Sequence, residues 1–205
     1  TGKLNDSQHG FRSGHSSLSQ LLSHFDKILK GLERGDDVNV VYLDFAKAFD
    51  KVDHGVVLKK LKSLGIRGRL GRWIHCFLTG RTQKVVVGGE SSSIKVVISG
   101  VPQGSVLGPL LFLIMIGDID KSVLTAFLSS FADDTRVGHW IKTMEDLQNF
   151  QRDLDKIYEW SSKNNMEFNS SKFECLRYGQ ERFPTVKQLN DKGEPIEVKK
   201  HVKDL

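Results

Sequence analysis

Two short acidic segments carry the residues best suited to metal chemistry. In the first, residues 40–50, an apolar run ends at the carboxylate of Asp44. The second, residues 131–134, sets Asp133 and Asp134 side by side in an apolar context. Adjacent carboxylates at a tight turn repel each other, and a divalent cation such as Mg²⁺, which takes oxygen ligands, relieves that repulsion. The two segments therefore suggest a carboxylate metal site.

The chemistry that such a site supports is phosphoryl transfer. Two ions about 3.5–4 Å apart stabilise both the attacking and the leaving oxygen of an in-line displacement. That arrangement needs carboxylates from separate strand ends on one rigid sheet, as Asp44 and Asp133 could provide. A glycine-rich loop, residues 99–109, separates the acidic segments. Either segment alone is most simply a strand cap or a polar turn; the combination and its order are much more specific.

Hydrophobic periodicity predicts the elements that must position these residues. Helices are predicted over 16–34, 54–64, 68–79, 106–127 and 144–164, and strands over 38–43, 84–87, 94–98, 128–132, 135–140 and 173–178. The strands 84–87 and 94–98 are predicted to form a hairpin with a turn at Gly88-Gly89-Glu90-Ser91. This order predicts an α+β fold, an antiparallel sheet with helices packed on one face. A regular βαβ alternation is absent, which argues against a doubly wound sheet.

The composition is that of a globular protein. The 205 residues are 39% apolar and 27% charged, which excludes disorder and low complexity and suits one domain with at most part of a second. Two cysteines, Cys76 and Cys175, cannot build a disulfide scaffold or a Cys-based zinc site. The longest apolar run is too short to span a bilayer, so no membrane partner is expected. The missing initiator Met and the abrupt end at Leu205 predict a fragment of a longer protein.

Positive charge is concentrated in one stretch of a chain whose net charge is +5. No Asp or Glu occurs between His54 and Gly89, whereas Trp73 and Phe77 are interleaved with basic residues. These are Lys59, Lys60, Lys62, Arg67, Arg69, Arg72, Arg81 and Lys84. The pattern is consistent with a surface that follows a phosphate backbone, or with a solvated basic helix face.

From about residue 8 to residue 178 the chain resembles the reverse transcriptase domain of non-LTR (LINE-type, jockey-like) retrotransposons. Residues 8–12 resemble the family's Gln-x-Gly-Phe-Arg block, 43–54 its motif A, 100–112 its motif B, and 131–135 its motif C. The resemblance implies an RNA-directed DNA polymerase that copies an RNA template onto a DNA primer from deoxynucleoside triphosphates.

The same resemblance implies a domain organisation. Residues 1–35 would be the C-terminal part of the fingers, 36–180 a right-hand polymerase palm, and 181–205 the truncated start of the connection toward the thumb. The thumb and the upstream endonuclease would be missing, so weak or no activity is expected from this fragment alone.

Several site residues follow from the resemblance. Asp44 and Asp133 would be the main ligands of two Mg²⁺ ions (or Mn²⁺), with Asp134 beside them; the ions would lower the pKa of the primer 3′-hydroxyl and hold the triphosphate. Phe49 would be a steric gate that excludes a ribose 2′-hydroxyl, with a core aromatic residue as the alternative. Gln103 and Gly104 would line the nucleotide and template pocket, with an ordinary helix-entry turn as the alternative.

Roles for four further residues follow, two of them with alternatives. Phe45 would contact substrate next to Asp44. Lys172 resembles the motif D lysine that could protonate pyrophosphate, or is a solvated surface lysine. Arg81 would touch the template or hold the sheet. His54 is interpreted as structural.

Other functions fit parts of the pattern. One is an inactive, transposon-derived fragment that only binds nucleic acid through residues 59–84, although all three aspartates are intact. Another is an Asp-based nuclease, against which the lack of His or Glu clusters argues. Intron-encoded and telomere-extending polymerases are nearer alternatives. The sequence leaves cellular location open between nucleus and cytoplasm.

Overall fold

The computed structural model describes residues 5–200, in which five α-helices and nine strands form. The helices are α1 (Ser17–Glu33), α2 (His54–Ser63), α3 (Gly68–Leu78), α4 (Leu107–Ile116) and α5 (Met144–Lys163). The strands are β1 (Asp37–Leu43), β2 (Thr82–Gln83), β3 (Val86–Val87), β4 (Glu90–Ser91), β5 (Lys95–Val96), β6 (Phe127–Phe131), β7 (Asp134–Ile141), β8 (Glu174–Tyr178) and β9 (Glu197–Lys199).

Five of the strands form one sheet in the order β6-β7-β1-β8-β9. All neighbouring pairs are antiparallel except β8 and β9, which are parallel. Strand β1 lies at the centre because its near-continuous apolar sequence can be covered on both faces. The predicted, largely antiparallel sheet and mixed α/β content are confirmed.

Helices cover both faces of this sheet, so the expectation that they pack on one face is wrong. On one face Val41 and Leu43 of β1 share a core with α2, α3, α4 and α5. On the other, Val38 and Val40 pack against Ile28 of α1. Successive side chains of a strand point to opposite faces, and β1 is apolar at both sets of positions. Both faces are therefore hydrophobic, and each needs a helix.

The helix predicted over 106–127 is shorter than expected. Helix α4 ends at Ile116, and a 3₁₀ turn, Ile119–Ser122, follows. The carboxylate of Asp118 accepts hydrogen bonds from Lys60 Nζ at 2.6 Å and from Trp160 Nε1 at 2.8 Å. These partners on α2 and α5 hold the chain where the helix would otherwise continue. No helix within residues 5–200 is long and apolar enough to cross a membrane.

The predicted hairpin over 84–98 forms as two short ladders instead of one. Strand β2 pairs with β5, and β3 pairs with β4 around a Gly88-Gly89 turn. Both glycines have positive φ, as tight hairpin turns require. The residues predicted as part of the turn, Glu90 and Ser91, therefore belong to a strand.

A buried aspartate on α5 fixes the entry to β6. Asp153 is 2% exposed, and its carboxylate accepts hydrogen bonds from the backbone N–H groups of Leu124, Thr125 and Ala126 and from the Thr125 hydroxyl. Burial raises the pKa of Asp153, but these hydrogen bonds together outweigh it and lower the pKa. The carboxylate thus anchors the strand that leads to Asp133.

A buried histidine lies between α1 and the sheet. His24 is 1% exposed, and neither ring nitrogen has a hydrogen-bond partner among residues 5–200. Burial, and then the positive charges of Arg136 and Lys27, lower the pKa of His24 to about 4. The unfolded chain binds this proton near pH 6.5, so the folded state loses stability as the pH falls from there toward 4.

We expect His24→Leu to reduce the pH dependence of folding. Between pH 7 and pH 5 the protonation of His24 in the unfolded chain should cost the wild type about 2 kcal/mol of unfolding free energy. Urea denaturation at both pH values measures this difference. The variant Leu22→Ala, at an exposed position of the same helix, removes no titratable group and should keep the wild-type pH dependence. An unchanged pH dependence in His24→Leu would contradict the assignment.

Candidate active site

The two acidic segments meet at one end of the sheet. Strands β1 and β7 are antiparallel neighbours, and the last pair of their register joins Leu43 to Thr135. Asp44 follows Leu43, and Asp134 precedes Thr135. Because paired strands lie about 4.7–4.9 Å apart, residues far separated in sequence become neighbours here.

Asp133 occupies the turn between β6 and β7. Phe131 and Asp134 form the last pair of that hairpin, which leaves Ala132 and Asp133 as its two turn residues. Ala132 adopts a left-handed conformation with φ of 54°. The Asp133 carbonyl accepts a weak hydrogen bond from the Thr135 hydroxyl at 3.4 Å. Among residues 5–200, no hydrogen bond or ion pair reaches the Asp133 carboxylate.

Asp44 is partly exposed and has a cation beside it. The ammonium of Lys172 lies 3.2 Å from Asp44 Oδ2, and the two side chains are 63% and 38% exposed. The carbonyl of Asp44 accepts a hydrogen bond from the backbone N–H of Asn169 at 2.8 Å. Two of the residues predicted to be catalytic are therefore in direct contact.

The donor set fits a hard divalent cation. Mg²⁺ is commonly held by one or two carboxylates and completes its coordination with water and substrate phosphates. The chain offers the carboxylates of Asp44 and Asp133 at the ends of neighbouring strands, and Asp44 already has a cation, the Lys172 ammonium, at 3.2 Å. No group of three or more His, Cys, Asp or Glu side chains suited to a metal ion occurs within the described chain, so Asp134 as a third ligand stays a prediction.

The ring of Phe49 is held by other aromatic rings. It stacks on Phe112 with centroids 4.4 Å apart and meets Phe11 edge-on at 6.1 Å. Phe49 is only partly buried, so one part of the ring remains accessible. Its stacking partner belongs to α4, which follows the glycine-rich loop.

The glycine-rich loop is tied to the segment after Asp44. The N–H of Gly100 donates to the Val52 carbonyl at 2.8 Å, and the N–H of Val101 donates to the Phe49 carbonyl at 3.0 Å. The Gly100 carbonyl bonds with Arg81 Nη2 at 2.9 Å and His54 Nε2 at 2.8 Å. His54 thus has the structural role predicted for it, and Arg81 holds the loop.

Gln103 and Gly104 lie at the exposed tip of this loop. Gln103 Nε2 donates to Asp50 Oδ1 at 3.0 Å. Gln103, Asp50 and Arg81 line an open cleft of about 610 Å³. Gly104 has φ of +76°, and a side chain there would meet no atom within 4 Å.

Phe45 is placed apart from the exposed residues. Its side chain is 4% exposed, stacks on Phe168 with centroids 4.5 Å apart and meets Trp160 edge-on. The ring therefore supports Asp44 from the core and does not face the cleft.

Gln8 is a residue near the site that sequence reasoning missed. Its amide bonds to the backbone N–H and carbonyl of Ala132, next to Asp133. The only signal was its place in the short Gln-x-Gly-Phe-Arg block, which names no contact. Asp50, the hydrogen-bond partner of Gln103, was also missed.

Comparison with solved structures supports the fold. The apo telomerase of Candida tropicalis, truncated from its C-terminal domain, superposes with a TM-score of 0.62 at 14% identity, over 86% of this chain and 37% of that chain. The fold is therefore one that this telomerase shares.

Comparison of sequences defines the family. The family model described as reverse transcriptase (RNA-dependent DNA polymerase) matches residues 2–198. The chain belongs to this family, as its motifs predicted.

Related sequences come from mobile elements. The RNA-directed DNA polymerases from mobile element jockey of Drosophila funebris and Drosophila melanogaster are each 34% identical over 176 residues, which is 80% of this chain. The chain spans 19% of the length of either relative. The resemblance to jockey-like non-LTR elements is thereby confirmed.

We expect Gly100→Ala to destabilise the protein far more than Gly104→Ala. Both glycines have positive φ, but a Cβ at Gly100 would lie 2.8 Å from the Asp50 carbonyl oxygen, whereas a Cβ at Gly104 would lie in open space. Gly104→Ala should cost about 1–2 kcal/mol for the left-handed conformation. Gly100→Ala should cost about 1–3 kcal/mol more because of the overlap. Urea denaturation of both variants tests this, and equal losses would contradict it.

Proposed function

We propose that the chain is the polymerase part of an RNA-directed DNA polymerase, which extends a DNA primer on an RNA template with deoxynucleoside triphosphates. The observation that carries the proposal is the meeting of the Asp44 and Asp133 segments at one sheet end in a member of the reverse transcriptase family. In this proposal residues 36–180 are the palm, 1–35 the end of the fingers, and 181–205 the approach to the thumb.

Asp44 and Asp133 would hold two Mg²⁺ ions, which Mn²⁺ can replace, with Asp134 beside them. When bound, such ions make the primer 3′-hydroxyl a better nucleophile and neutralise charge on the triphosphate. The protein's part is to fix the two carboxylates on a rigid sheet, so that attacking and leaving oxygens are held in line. Reverse transcriptases in general use divalent metals, which supports this assignment.

Lys172 is suited to donate a proton to the departing pyrophosphate. Its ammonium lies 3.2 Å from Asp44 and is largely exposed, so it can reach a phosphate bound beside that carboxylate. This pairing supports a catalytic role over that of an isolated surface lysine.

Phe49 would select deoxynucleotides. A ring clamped between Phe112 and Phe11 cannot easily move aside for a ribose 2′-hydroxyl. Gln103 and Gly104 would border the base pair at the loop tip, where Gly104 presents no side chain. Arg81, which donates a hydrogen bond to the Gly100 carbonyl and lines the same cleft, would help to shape this pocket.

One observation favours a nucleic-acid contact outside the acidic site. Helix α3 exposes Trp73, which is 57% accessible and stacks on Phe77 with centroids 5.8 Å apart. Exposed Arg69 and Arg72 lie on the same helix. Cations beside the exposed Trp73 ring suit a single strand, because phosphates bind the cations and a base stacks on the ring, while the partly buried Phe77 supports Trp73 from the core side. This surface would also serve the alternative function, a fragment that binds nucleic acid without polymerising.

We expect Asp133→Ala and Asp44→Asn to abolish primer extension on an RNA template. Loss of either carboxylate removes several kcal/mol of charge stabilisation, so rates should fall about a thousandfold or more. Extension is measured with Mg²⁺ and with Mn²⁺ in a full-length protein that contains this chain, because weak or no activity is expected from the 205 residues alone. The exposed α5 variant Asp155→Asn is the matched control. Circular dichroism melting shows whether each variant is folded.

Folded Asp133→Ala that extends primers as well as the wild type would refute the site. Salt-sensitive RNA binding by a full-length wild-type protein that extends no primer with either metal would favour the binding-only function instead.

We expect substitutions on the α3 surface to separate the electrostatic contribution to RNA binding from the stacking contribution. The double variant Arg69→Gln, Arg72→Gln should bind single-stranded RNA with a shallower slope of log affinity against log salt concentration. The decrease should correspond to the loss of about two phosphate contacts. Trp73→Ala should cost about 1–3 kcal/mol of binding while leaving the salt dependence unchanged. Fluorescence anisotropy over a salt series measures both, with exposed Lys192→Gln, outside the basic stretch, as control. Wild-type affinity in all variants would exclude this surface.

A further inference from the structure

The turn that carries Asp133 has an unfavourable backbone conformation. Ala132 has φ of 54°, in the left-handed region that residues with a Cβ disfavour. Its side chain is 7% exposed, so the turn is not free to relax into solvent. The direction in which Asp133 leaves the sheet depends on keeping Ala132 in this conformation.

Gln8 holds this turn at two points. Its Oε1 accepts a hydrogen bond from the N–H of Ala132 at 2.8 Å, and its Nε2 donates to the Ala132 carbonyl at 2.9 Å. The same Oε1 also accepts from the N–H of Gly10 at 2.8 Å. Gln8 is 6% exposed, so water does not compete for these bonds. One side-chain amide thus satisfies both polar backbone groups of the turn residue.

Gln8 is itself fixed by the sheet. It forms a parallel bridge with Ser130, whose carbonyl accepts from the N–H of His9 at 2.9 Å and whose N–H donates to the Ser7 carbonyl at 2.8 Å. Arg12 Nη1 donates to the Gln8 carbonyl at 2.8 Å. The segment around Gln8 therefore pairs with the edge of β6. Its backbone is fixed by Ser130 and Arg12, and this places the Gln8 side chain beside Ala132.

The glycine two residues later makes the contact possible. A Cβ on Gly10 would lie 2.3 Å from the backbone nitrogen of Ala132. The next residue, Phe11, meets Phe49 edge-on at 6.1 Å. The Gln-x-Gly-Phe order thus places the Gln8 amide on the turn that carries Asp133 and Gly10 where the two backbones approach closely. The Phe11 ring then contacts Phe49.

We propose that Gln8 is a positioning residue that fixes the Asp133 carboxylate by clamping the backbone of Ala132. This inference rests on the proposed role of Asp133 as a metal ligand. Gln8 acts through the turn, since its amide atoms bond to backbone groups of Ala132 and Gly10. Removal of a group that orients a metal ligand typically weakens metal binding by about 10–100-fold.

The test is metal binding by the 205-residue chain, read without any polymerase activity. Gln8→Met keeps the length of the side chain and removes both hydrogen-bonding groups. It should raise the Mn²⁺ dissociation constant, followed by the EPR signal of free Mn²⁺, by about tenfold. NMR should show that the Ala132 amide exchanges with solvent at least about tenfold faster. The exposed Gln148→Met, on α5, is the matched control and should change neither value.

A second substitution separates positioning from general destabilisation. Glycine adopts the left-handed conformation without penalty, so Ala132→Gly added to Gln8→Met should recover most of the lost Mn²⁺ affinity. Ala132→Gly also removes backbone strain and so restores stability, and urea denaturation of each variant must therefore show that it is fully folded under the assay conditions. The change in Mn²⁺ affinity then reports on the position of Asp133 and not on the folded fraction. If Gln8→Met does not fold, Gln8→Asn, too short to reach both backbone groups, should show the same weakening and the same rescue.

Two results would overturn the inference in different ways. Wild-type Mn²⁺ affinity in Gln8→Met, together with lost binding in Asp133→Asn, would remove the positioning role and leave the metal site intact. Unchanged Mn²⁺ binding in Asp133→Asn would overturn the proposed metal site, and the positioning role with it.

Discussion

Backbone pairing between β1 and β7 is the interaction on which the acidic site depends. The ladder runs from Asp37 opposite Ile141 to Leu43 opposite Thr135. A slip of one residue would exchange the two faces of β1, and both faces are committed to different cores. Packing on both sides therefore fixes the register, and the register brings Asp44 to the hairpin turn that carries Asp133.

The glycine-rich loop depends on the same arrangement, through the segment that follows Asp44. The Gly100 carbonyl accepts hydrogen bonds from His54, which precedes α3 in the sequence, and from Arg81, which follows it. Hydrogen bonds from the loop to Val52 and Phe49 extend this contact toward the acidic residues. Helices α2 and α3 thus influence the cleft although none of their residues is an acid of the site.

Local sequence predicted the elements whose periodicity is strong. Helices α1, α2, α3 and α5 and strand β1 begin and end within about two residues of the predicted bounds, because apolar spacing and caps such as Ser16 and Thr143 are local signals. The early end of α4 depends on Asp118 bonding to α2 and α5, a tertiary contact that periodicity does not contain. The Gln8 clamp and the buried ring of Phe45 are likewise contacts between distant segments. The motifs indicated the acidic site, but its supports became visible only in three dimensions.

The ion pair between Lys172 and Asp44 is weak enough for Asp44 to exchange the ammonium for another cation. Both side chains are substantially exposed, so the pair contributes at most about 1 kcal/mol and is screened by salt. A lysine on a long stem can leave the carboxylate at little cost. In the proposed function, a cation held by Asp44 would therefore compete with the ammonium for this carboxylate at little cost. Such weakness is what the proposed proton-donor role of Lys172 requires, because a lysine bound tightly to the carboxylate could not also serve a leaving group.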